Sequence, residues 1–181
     1  MLRQRLETIV RSDAAFMDWL RAARDCCPAD WALGAGALRN LVWDRLTGRR
    51  TPPRDVDVAF FGGAAEADVG RHLAERLPGV PWEVKDQALV HTWYERRFGR
   101  PVEPVASLED AVATWPETCT SVAVRLRRDG ALDVIAPCGL EDLFGLVLRR
   151  NPRRVTVEEF RRRLVEKRPV ERWPGVTVVD G

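Results

Sequence analysis

Two aspartates separated by one residue have the type and spacing of side chains that bind a catalytic metal ion. They are Asp55 and Asp57, in the run Asp55-Val56-Asp57-Val58-Ala59-Phe60-Phe61. Alternate side chains of a β-strand point to opposite faces, so both carboxylates would lie on one face. Converging oxygens suit a hard divalent cation such as Mg²⁺, with substrate phosphates and water completing its coordination. An edge strand with one solvated face would show the same pattern.

A glycine turn and a helix precede this strand. Gly34 and Gly36 lie between a short apolar stretch and a helix whose apolar residues recur at helical spacing and which ends near Gly48. Small residues let a ligand approach the backbone, and the free N–H groups of a helix start attract an anion. Arg39 lies in the first turn, where a cation is unfavourable unless an anion is near. A phosphate site at the helix start, next to a metal site on the adjacent strand, predicts that the protein binds a nucleoside triphosphate.

These residues resemble the nucleotidyltransferase superfamily that includes DNA polymerase β, which has a glycine turn, a helix and an Asp-x-Asp strand in this order. The segment Ala35-Gly36-Ala37-Leu38-Arg39-Asn40 is similar to Gly-Gly-Ala-Val-Arg-Asp of CCA-adding tRNA nucleotidyltransferases. The resemblance implies a polymerase β-like palm, which is an α/β (α+β) fold with a small mixed sheet and flanking helices. It also implies that Asp55 and Asp57 are catalytic metal ligands and that nucleotide contacts come from Gly34, Gly36, Ala37, Arg39 and Asn40.

A more extensive resemblance, over about residues 30–175, is to a bacterial family of nucleotidyltransferase-like proteins of unknown substrate. Its motifs appear here as Gly36-Ala37-Leu38-Arg39-Asn40, Asp55-Val56-Asp57, Asp86-Gln87-Ala88-Leu89-Val90-His91, Trp115-Pro116-Glu117-Thr118 and Pro137-Cys138-Gly139-Leu140-Glu141-Asp142-Leu143. Ala35 stands where the CCA-type motif has its first glycine, Asn40 replaces its aspartate, and Asp86 replaces the smaller family's asparagine. None of these differences removes a metal ligand, but Ala35 weakens the transfer of phosphate contacts.

A third carboxylate in this superfamily commonly comes from a neighbouring strand after an intervening helix, which is where Glu83 falls. It would help bind a second metal or accept the proton of an acceptor hydroxyl. Asp133, in a later predicted strand over residues 131–135, is the alternative. Lys85 lies on the predicted Glu83 face and is a candidate nucleotide contact, although an ion pair with Glu83 explains it equally well.

Composition is typical of a globular domain. The chain has 181 residues, of which 45% are hydrophobic and 31% charged. We expect a single nucleotidyltransferase-like domain, with helical packing elements over residues 1–29, a core over 30–135, and helices and a tail over 136–181. These last residues include a predicted helix over 140–148 and a final strand over 176–179. Residues 118–126 and 131–135 predict a hairpin. The sequence contains no apolar run long enough to span a membrane, which predicts a cytoplasmic protein without a membrane partner.

The predicted function is transfer of a nucleoside monophosphate from an NTP to a hydroxyl or phosphate acceptor, dependent on Mg²⁺ or Mn²⁺ and releasing pyrophosphate. The acceptor class stays open among small molecules, RNA and proteins. One alternative is a catalytically inactive nucleotide- or protein-binding regulator on the same fold. Another is an RNA-associated module that uses the basic cluster of Arg149, Arg150, Arg153 and Arg154. A net charge of +2 is too mild to identify a nucleic-acid partner.

Overall fold

The computed structural model describes residues 1–180. It contains nine α-helices and seven strands within that range. In chain order they are α1 Leu2–Ser12, α2 Ala14–Cys26, β1 Trp31–Gly34, α3 Ala35–Thr47, β2 Val56–Phe60, α4 Glu66–Arg76, β3 Trp82–Asp86, α5 Val90–Phe98, α6 Leu108–Val112, β4 Ala123–Leu126, β5 Leu132–Ile135, α7 Glu141–Phe144, β6 Val147–Arg149, α8 Val157–Lys167, α9 Pro169–Arg172 and β7 Thr177–Val179.

A five-stranded mixed sheet forms the centre, in the order β3-β2-β1-β4-β5. β1 pairs antiparallel with β2 and β4, β4 pairs antiparallel with β5, and β2 pairs parallel with β3. The parallel pair needs a crossover, which α4 supplies. This mixed sheet with flanking helices confirms the predicted fold class.

The two faces of the sheet differ in composition. One face carries large apolar side chains, including Leu33, Val58, Phe60 and Val124, and packs into the main core together with α1, α2 and α3. The other face carries small residues at its centre, Ala32, Ala59 and Ala123, against which α6 packs. Since α6 has five residues, it covers only part of this face, and the carboxylates of β2 and β3 project beside it.

The C-terminal part departs from the predicted helix over residues 140–148. The helix α7 ends at Phe144, and Leu146 adopts a left-handed backbone with φ of 55°. The following residues form β6, which pairs parallel with β7 in a second, two-stranded sheet. The predicted final strand therefore exists, but its partner lies in the segment that we expected to be helical.

The predicted hairpin is present in shorter form. β4 and β5 flank a turn in which Gly130 has φ of 84°, but residues 118–120 form a 3-10 turn rather than strand. Among residues 1–180, no helix is both long and apolar enough to cross a membrane.

Candidate active site

Three acidic residues lie near one another at the start of β2 and β3. Asp57 and Glu83 are register partners across the parallel pair, so they share a face with Cα atoms about 4.8 Å apart. Asp55 lies immediately before β2, two residues from Asp57, and both line the same cleft as Glu83. The structure therefore brings together the three residues that the sequence assigned to a metal.

Burial and repulsion both act on Asp57. Desolvation is the larger cause and the charges of Asp55 and Glu83 add to it, which together raise the pKa of Asp57 to about 7. The ammonium of Lys167 and the backbone N–H of Gly36 oppose that rise. A carboxylate whose charged form is this costly gains from a bound cation or proton.

The glycine turn contacts this cluster. A Cβ on Gly36 would lie 3.9 Å from a carboxylate oxygen of Asp55 and of Asp57, so the helix start faces the acidic pair. Ala35 has φ of 50°, a left-handed conformation that glycine adopts without strain. Ala35 stands where the CCA-type motif has its first glycine, and it adopts a backbone conformation that favours glycine.

Gly34 has a packing role. A Cβ there would lie 2.4 Å from the carbonyl oxygen of Val122 and 2.7 Å from Cα of Ala123. The strand β4 therefore needs glycine at this position. Gly34 is not among the residues that line the cleft, and neither is Ala37, which is buried.

Arg39 is buried between two indole rings. Its guanidinium carbon lies 4.8 Å from the ring centroids of both Trp43 and Trp173, and its Nε donates to Oδ1 of Asn40. Arg39 and Asn40 are 5% and 6% exposed and do not line the cleft. Their nucleotide contacts stay a prediction, and the cation whose charge acts on Asp57 is Lys167.

The carboxylates open into a cleft of about 530 Å³. The sheet edge forms one wall, and α5, α8 and the loop after α6 form the others. Lys85 lines it and pairs with Glu66 at 3.8 Å rather than with Glu83. The charged residues around it are six acidic and six basic: Asp55, Asp57, Glu83, Glu117, Glu159 and Glu166, with Lys85, Arg97, Arg154, Arg162, Arg163 and Lys167.

Asp133 lies away from this cluster. It is on β5, at the opposite edge of the sheet, and two strands separate it from β2. That spacing is about 14 Å across the sheet. Its carboxylate pairs with Arg125 at 3.1 Å. Glu83, and not Asp133, is therefore the carboxylate that neighbours Asp57.

Two of the family motifs supply structural contacts near the cleft. Asp86 caps the 3-10 turn at Gln87–Leu89 by accepting from the N–H of Ala88, and it also accepts from the N–H of Gly62. Thr118 donates to Asp142 at 2.6 Å, which joins the Trp-Pro-Glu-Thr segment to the Pro-x-Gly-Leu-x-Asp-Leu segment.

The four arginines of the basic cluster have separate internal partners. Arg149 forms two hydrogen bonds to Asp142, and Arg150 donates to the carbonyl oxygens of Val155 and Asp180. Arg153 pairs with Asp110, and Arg154 lies 5.4 Å from the ring centroid of Tyr94. The cluster is therefore not a continuous free surface for phosphates.

Within residues 1–180, no three His, Cys, Asp or Glu side chains stand in an arrangement that could hold a metal ion by themselves. Asp55 and Asp57 still fit a cation of the magnesium type, which uses one or two carboxylates together with substrate phosphates and water. This fit is supported by the position of both carboxylates beside Gly36 at the start of α3, and by the burial that raises the pKa of Asp57.

Comparison with known proteins supports the fold and gives the family. A sequence profile described as nucleotidyltransferase matches residues 21–178, so the chain belongs to that family. A solved structure described as a CCA-adding enzyme head domain is 27% identical, with a TM-score of 0.78, and the match covers 97% of this chain and 94% of that one. No curated protein sequence matches the chain.

Two longer enzymes share the fold. A CCA-adding enzyme in complex with CTP has a TM-score of 0.59 at 13% identity, and a complex with ATP has 0.55 at 14%. The matches cover 96% and 94% of this chain but 43% and 41% of those chains. This chain thus spans less than half of either enzyme, and the likeness shows the fold alone.

Proposed function

We propose that this protein is a metal-dependent nucleotidyltransferase that moves a nucleoside monophosphate from an NTP to a hydroxyl or phosphate acceptor and releases pyrophosphate. The observation that carries the proposal is that Asp55, Asp57 and Glu83 line one cleft together, with both aspartates beside the N-terminus of α3. The cleft volume of about 530 Å³ lies in the range of small-molecule sites.

Asp55 and Asp57 would hold Mg²⁺ or Mn²⁺, and Glu83 would complete the acceptor side. When bound, the cation would offset the negative charge of the triphosphate and lower the pKa of the attacking hydroxyl. The residues themselves orient the reactants: the backbone at Gly36 faces the acidic pair, and Glu83 stands where it can accept a proton from an acceptor. This is positioning and electrostatic stabilisation, with no covalent intermediate on the protein.

Charge balance in the cleft supports the metal requirement. Its lining has six acidic and six basic side chains, so a polyanionic triphosphate gains no net attraction from the protein alone. A divalent cation on the acidic pair would change that balance. CCA-adding enzymes that share this fold have been solved in complex with CTP and with ATP, so both nucleotides are among those to test.

The test is calorimetric titration of the protein with each of the four NTPs, with and without Mg²⁺. We expect one or more NTPs to bind only with Mg²⁺, and Asp57→Asn to abolish that binding because it removes a metal-binding charge at constant size. Asp133→Asn is the matched control and should bind like the wild type, since Asp133 lies at the far edge of the sheet. Binding that ignores Mg²⁺ or survives Asp57→Asn would favour a non-catalytic regulator instead.

A further inference from the structure

The wall of the cleft that faces the carboxylates is formed partly by α8. Arg163 and Lys167 are four residues apart, so they project from the same helix face, and both line the cleft with Asp55 and Asp57. The charge of Lys167 acts on both aspartates. Neither cation stands out in the sequence, because each lies among the many charged residues of this helix.

A buried carboxylate holds this wall in place. Glu117 is 4% exposed, and its Oε1 accepts a hydrogen bond from Nε of Arg163 at 2.8 Å. Its Oε2 accepts from Thr120 at 2.8 Å. Burial alone would raise the pKa of Glu117, but the charges of Arg163 and Lys167 lower it. Glu117 is therefore an ionised anchor, which gives the Trp-Pro-Glu-Thr segment a physical role.

The loop that carries Glu117 is itself tied down. Asn151 is buried, and its side-chain amide donates to the carbonyl oxygens of Ala113 and Trp115 at 2.8 Å each. Its backbone N–H donates to the carbonyl oxygen of Pro116. The anchor thus has little freedom to move, and the position of Arg163 follows from it.

Arg163 and Lys167 both have hydrogen-bond donors that no protein group accepts within residues 1–180. Within residues 1–180, Arg163 uses Nε for its hydrogen bond to Glu117, its two terminal nitrogens make none, and Lys167 has no carboxylate within 4.0 Å. Burial lowers the pKa of Lys167, and the neighbouring charge of Arg163 lowers it further. Two cations held close together in a half-buried wall gain from an anion placed between them.

We propose that Arg163 and Lys167, positioned by Glu117, bind the β- and γ-phosphates of the nucleotide. The proposal rests on the proposed function and adds where the pyrophosphate leaving group is held. Asp55 and Asp57 would hold the cation that accompanies a triphosphate, and Arg163 and Lys167, which line the same cleft, would bind its phosphate oxygens. The α8 wall would thus take the place that the sequence assigned to Arg39.

A competing explanation is structural. Lys167 ends α8, where a cation is stabilised by the helix dipole, and it also offsets the charges of Asp55 and Asp57. In that case its removal changes stability but does not change which nucleotide binds. The number of phosphates that the protein recognises is therefore the property to measure.

The experiment compares binding of the NTP that wild type prefers with binding of the NDP and NMP of the same base, all with Mg²⁺. We expect Lys167→Gln to weaken NTP binding about tenfold or more while NMP affinity changes less than about twofold, because one charge-assisted contact is lost. Lys167→Arg should retain most of the NTP preference. Arg161→Gln is the matched control on α8, since Arg161 is exposed and pairs with Asp180 outside the cleft.

Glu117→Gln tests the anchor. It keeps the shape of the side chain but frees Arg163, so we expect the NTP-to-NMP affinity ratio to fall about three- to tenfold. If Lys167→Gln does not fold by circular dichroism, the double variant Glu117→Gln with Arg163→Gln gives the same test without leaving a buried charge unpaired. It should lower the same ratio about tenfold or more.

The outcomes separate the two proposals. An unchanged NTP-to-NMP affinity ratio in Lys167→Gln overturns the proposal that Arg163 and Lys167 bind the β- and γ-phosphates. The double variant decides in the same way if Lys167→Gln does not fold. If Asp57→Asn still abolishes NTP binding in the same series, the proposed function stands without this phosphate contact. If wild type binds no NTP with Mg²⁺, both proposals fail.

Discussion

Asp57 makes the folded protein sensitive to pH, because burial and two neighbouring carboxylates raise its pKa from 3.8 to about 7. Between those two values the folded chain holds a proton that the unfolded chain releases. The stability contributed by this group is therefore highest below about pH 4, falls as the pH rises, and levels off above about pH 7.

Asp57→Asn should relieve that penalty. In the absence of divalent cations, we expect its free energy of unfolding to exceed that of wild type by about 1–3 kcal/mol more at pH 8 than at pH 4. Urea titrations at the two pH values measure the difference. Asp18→Asn, at an exposed site on α2, is the control and should show no such pH dependence. A gap that is equal at both pH values would mean that Asp57 titrates normally.

Ala35 has a left-handed backbone conformation that alanine rarely adopts. Its φ of 50° costs alanine about 1 kcal/mol, and glycine avoids that cost but loses more entropy on folding. We expect Ala35→Gly to leave the free energy of unfolding unchanged or to raise it by up to about 1 kcal/mol. Ala37→Gly, inside the same helix, should lower it by about 1 kcal/mol or more. If Ala35→Gly and Ala37→Gly lower the stability measured by thermal denaturation equally, the backbone at Ala35 is not strained.

At the scale of elements, local patterns predicted most of what positions the site. Alternation in residues 55–61 placed both aspartates on one face. Ser107 and Thr156 cap α6 and α8 by accepting from backbone N–H groups three residues later. These features depend on neighbours within a few positions. The helix over residues 140–148 was wrong because β6 forms by pairing with β7, and such non-local pairing overrides local helix propensity.

The close packing of Gly34 against β4 predicts that a larger residue at this position destabilises the sheet. Because a Cβ would lie 2.4 Å from the carbonyl oxygen of Val122, Gly34→Ala must push β4 away from β1. We expect a loss of about 2–3 kcal/mol in urea unfolding, as for other overpacked cores. Gly48→Ala provides a comparison, since it meets no atom within 4 Å but has φ of 69°, so its cost should be about 1–2 kcal/mol. A Gly34→Ala variant as stable as wild type would mean that the close approach can relax freely.

At the scale of the whole molecule, the position of Arg39 depends on a residue near the other end of the chain. Trp173 donates from Nε1 to Asp44 of α3 at 2.7 Å across 129 sequence positions, and its ring meets Trp43 edge-on at 5.3 Å. No pattern around Arg39 contains this information. The phosphate contact of Arg39 was predicted from the residues next to it in sequence. Its actual surroundings depend on Trp173, which the C-terminal segment places against α3.

The same contact predicts that the C-terminal segment folds together with the sheet. Trp173 is fully buried, so Trp173→Ala removes a large ring from the core and one wall from around Arg39. We expect it to lower the free energy of unfolding by about 3–5 kcal/mol in a single urea transition. Trp173→Phe keeps an aromatic ring, and Asp44 still accepts from Thr51, so its cost should be nearer 1–2 kcal/mol. If Trp173→Ala costs less than about 1 kcal/mol, the segment after α8 packs too weakly to fix Arg39, and the guanidinium would be free to turn toward the cleft as the sequence predicted.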